Sequence, residues 1–296
     1  MCSMDEINSL PFAQQQRLRF IESMVLWEGS VQRQRVCEVF RVNPNHVTRD
    51  IQVYKKQYPK SLEYNPSLRA YEPGSKFSPH MASGDPSEYL ALLYAYAESE
   101  SVAMLPVLGT GGPLVDVLHA PPCKIDQYVL RTVVQAMQRG KGFTALYSSM
   151  SSDKPQTRTL WPHALLHTGI HWHVRAYDSK RDAFRNFAIQ RIGKIEANDL
   201  SCPLGRDVDE EWHQQVIVEV IPNPQLNQHQ QNVVANDYGM TRTSAGWVWT
   251  QQIRKCLVGY FLVHHRLDLQ LSAWPNNPLS LKDPTAIEPF LFGAES

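Results

Sequence analysis

The N-terminal part of the chain carries apolar residues at the spacing of amphipathic helices. Leu18, Ile21 and Val25 recur at intervals of three and four positions and predict a helix over residues 12–27. A second short helix is expected to follow Ser30 as its N-cap and to end near residue 41. Two short helices in close succession are therefore predicted near the N-terminus.

A third helix is predicted to begin after Asn43, a suitable N-cap, with Pro44 in the first helical position. Its apolar face consists of Val47, Ile51, Tyr54 and Tyr58. Its opposite face is polar and consists of Asn45, His46, Thr48, Arg49, Gln52, Lys55 and Lys56. A polar and basic stripe of this kind is typical of a helix that enters the major groove of DNA.

Two short strands, residues 61–64 and 68–71, are predicted around Asn65, Pro66 and Ser67, and an irregular loop is the alternative. Three helices with a tight connection between the second and the third, followed by a hairpin, resemble a winged helix-turn-helix. The hairpin would be the wing, and the third helix would read the DNA.

The polar residues of this region divide into two groups by their chemistry. Asn45 and Arg49 carry donors suited to adenine and guanine edges, whereas Lys55 and Lys56, and Arg69 in the wing, are candidates for phosphate contacts. The alternative is a small helical domain whose polar face is merely solvated. Residues 10–60 hold nine basic and four acidic side chains, and this excess favours DNA.

The middle of the chain predicts linker helices and then a β-meander. Helices are expected over residues 85–98 and 125–138, the second with Tyr128, Val129 and Val133 facing inward. The meander should have four antiparallel strands joined by short turns, over residues 142–148, 157–166, 170–177 and 184–192.

The third of these strands alternates between two faces. The face expected to be cationic consists of His171, His173, Arg175 and Tyr177. The face expected in the core consists of Trp172, Val174 and Ala176. Alternatively, the two histidines lie on a solvated face, and Arg191 pairs with Asp178 or Glu196.

The C-terminal region predicts a small α+β unit. A strand is expected over residues 213–221, helices over residues 226–235 and 250–264, and a further strand near residues 267–271.

The composition limits the class of protein. A chain of 296 residues suggests two or three domains, and 43% hydrophobic with 20% charged residues is ordinary for a soluble globular protein. The five cysteines are scattered singly, so neither a disulfide scaffold nor a zinc ribbon is expected. We see no membrane-spanning stretch and no signal peptide, and we expect a cytoplasmic protein without a membrane partner.

The net charge of zero conceals an uneven distribution of charge along the chain. Residues 1–78 carry a net charge of +3, residues 79–139 of −3, residues 140–196 of +5 and residues 197–296 of −5. Two positive modules therefore alternate with two negative ones.

The predicted meander lies in residues 140–200, which we call the β-module. Three short stretches of the β-module carry a recognisable pattern. They consist of Leu160, Trp161, Pro162 and His163, then Gly169 with residues 172–178, and finally Phe184, Arg185, Phe187, Arg191 and Ile192. This pattern resembles the WYL family of bacterial transcriptional regulators. The family's central tyrosine is replaced by His173, which adds a titratable group. The string around His173 is most similar to the repressors found beside phage-defence systems of the BREX and CBASS kinds.

The resemblance implies a winged helix, an Sm-like or SH3-like β-barrel and a C-terminal extension with a dimerisation role. It also implies that the β-module binds a nucleotide or a nucleic-acid-derived anion, for which arginine offers a planar pair of donors. The expected ligand-binding residues are Tyr147, Ser149, Arg158, His163, His171, His173, Arg175, Tyr177, Arg185 and Arg191.

Other functions are alternatives at this point. His163, His167, His171 and His173 lie within eleven positions and could hold a metal, but no cysteine or carboxylate shares their predicted face. No nucleophile motif, Walker A loop or dinucleotide motif occurs, so we expect neither an enzyme nor a cofactor. The runner-up is an accessory protein that binds nucleic acid without a regulatory switch, and a metal-dependent enzyme comes third.

The sequence thus predicts an α+β multidomain protein. Its expected parts are a winged helix-turn-helix (residues 1–78), a helical linker (79–139), a WYL ligand-sensing domain (140–200) and a C-terminal dimerisation domain (201–296). We expect a homodimeric repressor on double-stranded operator DNA, with its two third helices about 34 Å apart or a multiple of that. A nucleotide or oligonucleotide effector would alter its DNA affinity by favouring one of two domain arrangements.

Overall fold

The computed structural model describes residues 9–98, 114–119, 121, 123–268 and 277–292. They belong to two compact units, residues 1–119 and residues 120–296. Within these described ranges, no helix is long and apolar enough to cross a membrane.

The first unit is built from helices and a small three-stranded sheet. Its described elements are α1 (Phe12–Glu28), β1 (Val31–Gln32), α2 (Arg33–Phe40), α3 (Pro44–Gln57), β2 (Leu62–Asn65), β3 (Ala70–Pro73) and α4 (Pro86–Glu98). The sheet has the strand order β1-β3-β2, and both pairings are antiparallel. Three helices and a hairpin in this order confirm the winged helix-turn-helix, with β2 and β3 as the wing.

The start of α2 differs from the prediction. Val31 and Gln32 pair with Tyr71 and Ala70 of the wing, so Gln32 and not Ser30 is the N-cap. The backbone of these residues is extended because it completes the sheet, and α2 can begin only after it. A strand of two residues leaves no periodic signal in the sequence.

The third helix forms as its spacing predicts. The side chain of Asn43 accepts a hydrogen bond of 3.0 Å from the backbone N–H of Asn45 and so caps α3. Val47, Ile51 and Tyr54 are buried in the core that α3 shares with α1.

The second unit contains two antiparallel sheets. Its described elements are α5 (Gln127–Arg139), β4 (Lys141–Tyr147), β5 (Gln156–His167), β6 (Trp172–Asp178), β7 (Ala183–Ala188), β8 (Ile192–Ser201), α6 (Glu210–His213), β9 (Gln215–Pro222), α7 (Gln228–Asp237), β10 (Thr241–Thr243), β11 (Gly246–Arg254), α8 (Val258–His264), β12 (Leu279–Leu281) and α9 (Pro284–Ile287). The first sheet has the order β7-β6-β5-β4-β8, and the second has the order β10-β11-β9-β12.

Helix α5 packs against one face of the five-stranded sheet. Val129 and Val133 of the helix lie in one core with Phe143, Leu160 and Val174 of the strands. The helix therefore covers the face that the alternation of β6 assigns to the core.

The five-stranded sheet is open. Its order leaves β7 and β8 at the edges, with no ladder between them among the described residues. The expected closed barrel is therefore wrong, whereas the antiparallel meander is confirmed. Strand β8 was not predicted, because only its first residue, Ile192, is buried and the alternation that marks a strand is missing.

Two aromatic residues that the sequence places in the core lie at the surface. Trp172 is 49% exposed, with its ring 4.9 Å from that of His167. Tyr128 is 51% exposed. Trp172 is the first residue of β6, and Tyr128 is the second residue of α5. The periodicity of each element assigns these residues to the core face, but the ends of the elements extend beyond the packed core.

The opposite face of β6 is buried, not solvated. Every residue from 173 to 178 is buried, so both faces of the strand are covered. The alternative of a solvated face is therefore wrong for His173, whereas His171, which precedes the strand, is half-buried.

The C-terminal region combines a four-stranded sheet with short helices. The predicted strand and the first predicted helix are present as β9 and α7. Residues 250–264, expected as one helix, are instead the end of β11, a 3-10 turn and α8. Residues 250–254 pair with β9, as Arg254 does with Gln215, and this pairing keeps them extended instead of helical. Of the strand expected near residues 267–271, positions 269–271 lie outside the described residues, and positions 267 and 268 are not in a strand.

Candidate functional site

The one acidic residue of α3 lies inside the fold. Asp50 is 2% exposed and accepts hydrogen bonds from Nε and Nη2 of Arg17 on α1, at 2.6 and 3.3 Å. The remaining charged residues of α3 are basic. The outward face of α3 therefore carries positive charge without a carboxylate of its own to oppose it.

A second buried carboxylate holds α3 against α1. Glu22 of α1 is fully buried and accepts a short hydrogen bond from the hydroxyl of Tyr54. Its oxygens also accept hydrogen bonds of 2.6–2.9 Å from the backbone N–H groups of His80, Met81 and Ala82. Burial, together with the bond to Glu22, raises the pKa of the Tyr54 hydroxyl. This carboxylate joins α1, α3 and the segment that follows the wing.

The residues predicted to contact DNA lie together on the outer side of α3. Those that are exposed are Asn45, His46, Arg49, Gln52, Lys55 and Lys56. Thr48 is half-buried, and its hydroxyl lies 3.0 Å from the carbonyl of Pro44 and 3.1 Å from Nη1 of Arg33. Arg33, the first residue of α2, was not predicted for this surface. It stands 15 positions before Thr48, and only the fold brings the two together.

The wing presents its predicted basic residue at an exposed turn. Arg69 is exposed and has a φ of 51°, in the left-handed region. The side chain of Asn65 accepts hydrogen bonds from the backbone N–H groups of Ser67 and Leu68, at 3.0 and 3.3 Å. Asn65 therefore fixes the turn that carries Arg69.

In the second unit, Arg175 of β6 is 2% exposed, and its guanidinium is engaged on several sides. Its Nε and Nη2 donate to the two oxygens of Asp209, at 2.8 and 2.7 Å. Nη2 also donates to Glu211 at 3.0 Å, and Nη1 donates to Asn186 at 3.3 Å. Asp209 and Glu211 were not predicted for the site. They follow Arg175 by 34 and 36 positions, so no local pattern connects them with it.

His163 of β5 shares the same carboxylate. Its Nε2 lies 2.8 Å from Asp209, and its ring packs edge-on against Trp212 at 5.3 Å. Burial raises the pKa of the Asp209 carboxyl, but the hydrogen bonds from Arg175 and His163 outweigh burial and hold that pKa well below its usual range. Asp209 is therefore an ionised carboxylate between two predicted ligand-binding residues.

Arg158 of β5 belongs to a separate pair. Its Nη1 donates to Asp178 at 2.8 Å, and Asp178 is fully buried. Asp178 also accepts a hydrogen bond of 3.0 Å from the backbone N–H of Lys180. Among the described residues, Asp178 is thus paired with Arg158, and no ion pair joins it to Arg191.

His173 is enclosed between the sheet and α8. It is 7% exposed, and its ring lies 5.1 Å from that of Tyr260. Burial lowers the pKa of His173. Its Nδ1 is 3.2 Å from the carbonyl of His171, whose own Nδ1 is 3.4 Å from the Sγ of Cys123.

The predicted neutral donors have local partners. The hydroxyl of Tyr147 accepts a hydrogen bond of 3.3 Å from a backbone N–H of β7. The hydroxyl of Tyr177 donates to Asp182, and Oγ of Ser149 lies 2.9 Å from Oγ of Ser151. These groups are therefore engaged within the sheet and its turns in this structure.

Two of the predicted arginines are open to solvent. Arg185 on β7 and Arg191 after it are exposed, and their side chains form no hydrogen bond or ion pair with the described part of the chain. The predicted ligand set is thus divided between buried, paired side chains and these two exposed ones. Over the residues that the structure describes, no group of three or more His, Cys, Asp or Glu side chains is placed to hold a metal ion.

Three known families match the chain, each over a different part. Residues 13–95 match the winged helix-turn-helix domain of the BrxR transcriptional regulators, and residues 215–287 match the C-terminal dimerization domain of BrxR regulators. Residues 128–197, between them, match the WYL domain. The chain therefore carries, in order, the winged helix, the WYL domain and the dimerization domain of a BrxR-type transcriptional regulator. These domains are those of a regulator and not of an enzyme.

Curated relatives of this BrxR-type regulator carry a consistent description. The "DNA-binding transcriptional repressor CapW" of Stenotrophomonas maltophilia is 28% identical over 257 residues, which cover 87% of this chain and 84% of the relative. The protein of the same name from Escherichia coli strain KTE188 is 29% identical over 230 residues, which cover 77% of this chain and 76% of the relative.

One solved structure that matches the chain is the proteasome accessory factor B/C (PafBC) of Arthrobacter aurescens. The match covers 94% of this BrxR-type chain and 46% of that chain, at 15% identity and a TM-score of 0.29. The regulator thus spans less than half of that chain, and a superposition this loose supports no conclusion about its function.

Proposed function

We propose that this chain is a homodimeric transcriptional repressor that binds operator DNA through α3 and the wing. The observation that carries the proposal is the outer side of α3, where Arg49, Lys55 and Lys56 are exposed while Asp50 is buried against Arg17. Asn45 and Arg49 read base edges, and the lysines, together with Arg69 in the wing, bind phosphates. The two CapW relatives are described as DNA-binding repressors, which supports the same function here.

The dimer follows from the family that the C-terminal region matches. Residues 215–287 match a dimerization domain. A two-fold symmetric dimer presents two copies of α3 to one face of the duplex, and so it calls for a palindromic operator with half-sites about one helical turn apart or a multiple of that.

The β-module is proposed to sense a nucleotide or a short oligonucleotide. Arg185 and Arg191 offer exposed guanidinium groups for phosphate, and Arg175, His163 and the other predicted residues complete the candidate set. We also propose that the chain divides into four parts, with boundaries after residues 78, 139 and 200. We further propose that the protein acts in the cytoplasm, where a bacterial operator lies, and that it regulates a phage-defence operon.

The test is a fluorescence anisotropy titration of the full-length protein against the DNA immediately upstream of its own gene, with scrambled DNA of equal length as competitor. A repressor is expected to bind the upstream DNA with a dissociation constant of about 10⁻⁸ M or tighter and to bind scrambled DNA at least about 10³-fold more weakly. Arg49→Ala should weaken specific binding by about 1–3 kcal/mol.

The matched control is Arg131→Ala, which removes an exposed arginine from α5 in the second unit. It should leave binding unchanged. Equal affinity for upstream and scrambled DNA, with a steep salt dependence, would overturn the repressor and favour the accessory protein that binds nucleic acid without regulation.

A further inference from the structure

We infer that the carboxylate of Asp209 occupies the position on Arg175 and His163 that a phosphate of the effector would take. The effector must therefore displace Asp209 in order to bind. This inference rests on the proposed function and states how the β-module is regulated. The displaced segment, residues 206–213, connects the five-stranded sheet with the C-terminal sheet.

The contact between Asp209 and Arg175 has the geometry that a phosphate would adopt. Two parallel N–H groups of the guanidinium meet two oxygens at 2.8 and 2.7 Å, and the pair is buried on both sides. Arginine binds carboxylate and phosphate through this same planar pair of donors. A phosphate on Arg175 would therefore occupy the position that Asp209 now fills.

The second carboxylate strengthens the likeness to a phosphate. Glu211 accepts a further hydrogen bond of 3.0 Å from Nη2 of Arg175. Two carboxylates thus place two negative charges around one guanidinium, close to the charge of a terminal phosphate. The side chain of Glu211 is 46% exposed, so the site reaches solvent on this side and a ligand has a route to it.

His163 has a second ring nitrogen that no protein group satisfies among the described residues. Its Nε2 is engaged with Asp209, but its Nδ1 is buried and has no hydrogen-bond partner among the described residues. A buried ring nitrogen without a partner costs free energy unless a further group satisfies it. A phosphate in the place of Asp209 would accept hydrogen bonds from Arg175 and from Nε2 of His163, and a donor group of the same ligand would satisfy Nδ1.

Displacing Asp209 would act on the C-terminal sheet through α6. Asp209 caps this short helix by accepting a hydrogen bond of 3.3 Å from the backbone N–H of Trp212. The carbonyl of Trp212 accepts a hydrogen bond from Arg254 at the end of β11, and the guanidinium of Arg254 lies 4.0 Å from the Trp212 ring centre. Asp209 therefore links the predicted ligand site to the region that matches the dimerization domain.

The tethered carboxylate competes with any free ligand, because an intramolecular group has a high effective concentration. The apparent affinity of the wild type is reduced by the fraction of molecules in which the site is closed. Neutralising Asp209 removes that competition. The effector should then bind more tightly although one anion has been lost from the protein.

The experiment measures binding of two probes to the full-length protein by calorimetry: inorganic pyrophosphate, and a 5′-phosphorylated trimer of deoxythymidylate. Asp209→Asn should bind at least one of them at least tenfold more tightly than the wild type. The matched control is Asp207→Asn, an exposed acid of the same segment, which should bind as the wild type does. A preference for pyrophosphate would identify the phosphate alone as the recognised group, and a preference for the trimer would identify a nucleic-acid fragment.

Asp209→Asn removes a negative charge beside the buried Arg175 and so risks misfolding. A second variant is therefore needed. Glu211→Gln changes an exposed partner of the same guanidinium, and it should tighten binding a few-fold. In the wild type, the probe that binds should also speed hydrogen exchange at Trp212 and His213, whose N–H groups donate to the carbonyl of Asp209.

The inference is overturned if neither variant binds a probe more tightly than the wild type, or if exchange at residues 212 and 213 is unchanged in the probe-bound wild type. The proposed function is tested separately by operator binding without any probe. Specific DNA binding with no gain from Asp209→Asn defeats the inference alone, whereas loss of specific DNA binding in the wild type defeats both.

Discussion

Arg17 on α1 donates a hydrogen bond of 2.6 Å to Asp50 on α3, and this contact holds the only acidic side chain of α3 in the protein interior. This contact holds α3 against α1, and it leaves the outer side of α3 without negative charge.

Replacing Asp50 with Ala should therefore destabilise the first unit strongly. The change leaves the buried guanidinium of Arg17 without its carboxylate, and breaking a buried pair by removing one partner costs about 3–5 kcal/mol. Hydrogen exchange of the α3 amides in the full-length protein, read by mass spectrometry, measures this loss. Glu63→Gln, a change at an exposed acid of β2, should stay within about 0.5 kcal/mol of the wild type. A similar small effect for Asp50→Ala would show that the pair does not hold α3.

Arg49 and Lys56 should differ in how they contribute to DNA binding. Arg49→Ala should relax specificity at one base pair of each half-site, because a base-edge contact is lost. Lys56→Ala should weaken binding to all sequences alike and reduce the slope of log K against log salt by about 0.9, because one phosphate contact is lost. Titrations of single-base operator variants at several salt concentrations separate the two effects. Identical profiles for both variants would mean that Arg49 also contacts only phosphate.

The buried and exposed faces of α3 could be predicted from the sequence because they depend on local spacing. The positions of Val47, Ile51 and Tyr54 fix which side of α3 is buried, and the opposite side follows from helical geometry alone. The N-cap of Asn43 is likewise a local signal. What spacing could not show is that Asp50, between the two faces, turns inward, because its partner stands 33 positions earlier.

The second unit shows where such reasoning fails. Four strands of its first sheet were predicted from alternation, but β8 has too few buried positions to alternate. The spacing within residues 250–254 predicts a helix, but these residues form a strand because they pair with β9. The pairing of Arg175 with Asp209 is set by the packing of a distant segment on the sheet, and the sequence around neither residue contains it.

The stability of the second unit should fall as the pH decreases from neutral. Burial lowers the pKa of His173 in the folded state below its ordinary value of 6.5, so the unfolded chain takes up the proton first. The favourable contribution is complete above pH 6.5 and is lost as the pH falls from there through the lower pKa of the folded state. Urea midpoints of the full-length protein between pH 7.5 and 5 should therefore decrease.

His173→Gln should flatten this decrease in part, because the half-buried His265, whose pKa is also lowered by burial, still contributes. His229→Gln, at an exposed histidine of α7, should retain the full decrease. If His173→Gln follows the wild-type curve at every pH, then His173 does not control this dependence.

The most direct test of the central claim is hydroxyl-radical footprinting of the full-length protein on the DNA upstream of its own gene. A dimer that reads DNA through α3 should protect two related segments about 10–10.5 base pairs apart from centre to centre, or a multiple of that. At a protein concentration that just saturates the wild type, protection of both segments should fall together in Arg49→Ala and persist in Arg131→Ala. Uniform protection along the whole fragment, or protection that survives Arg49→Ala unchanged, would contradict a repressor that reads its operator through this helix.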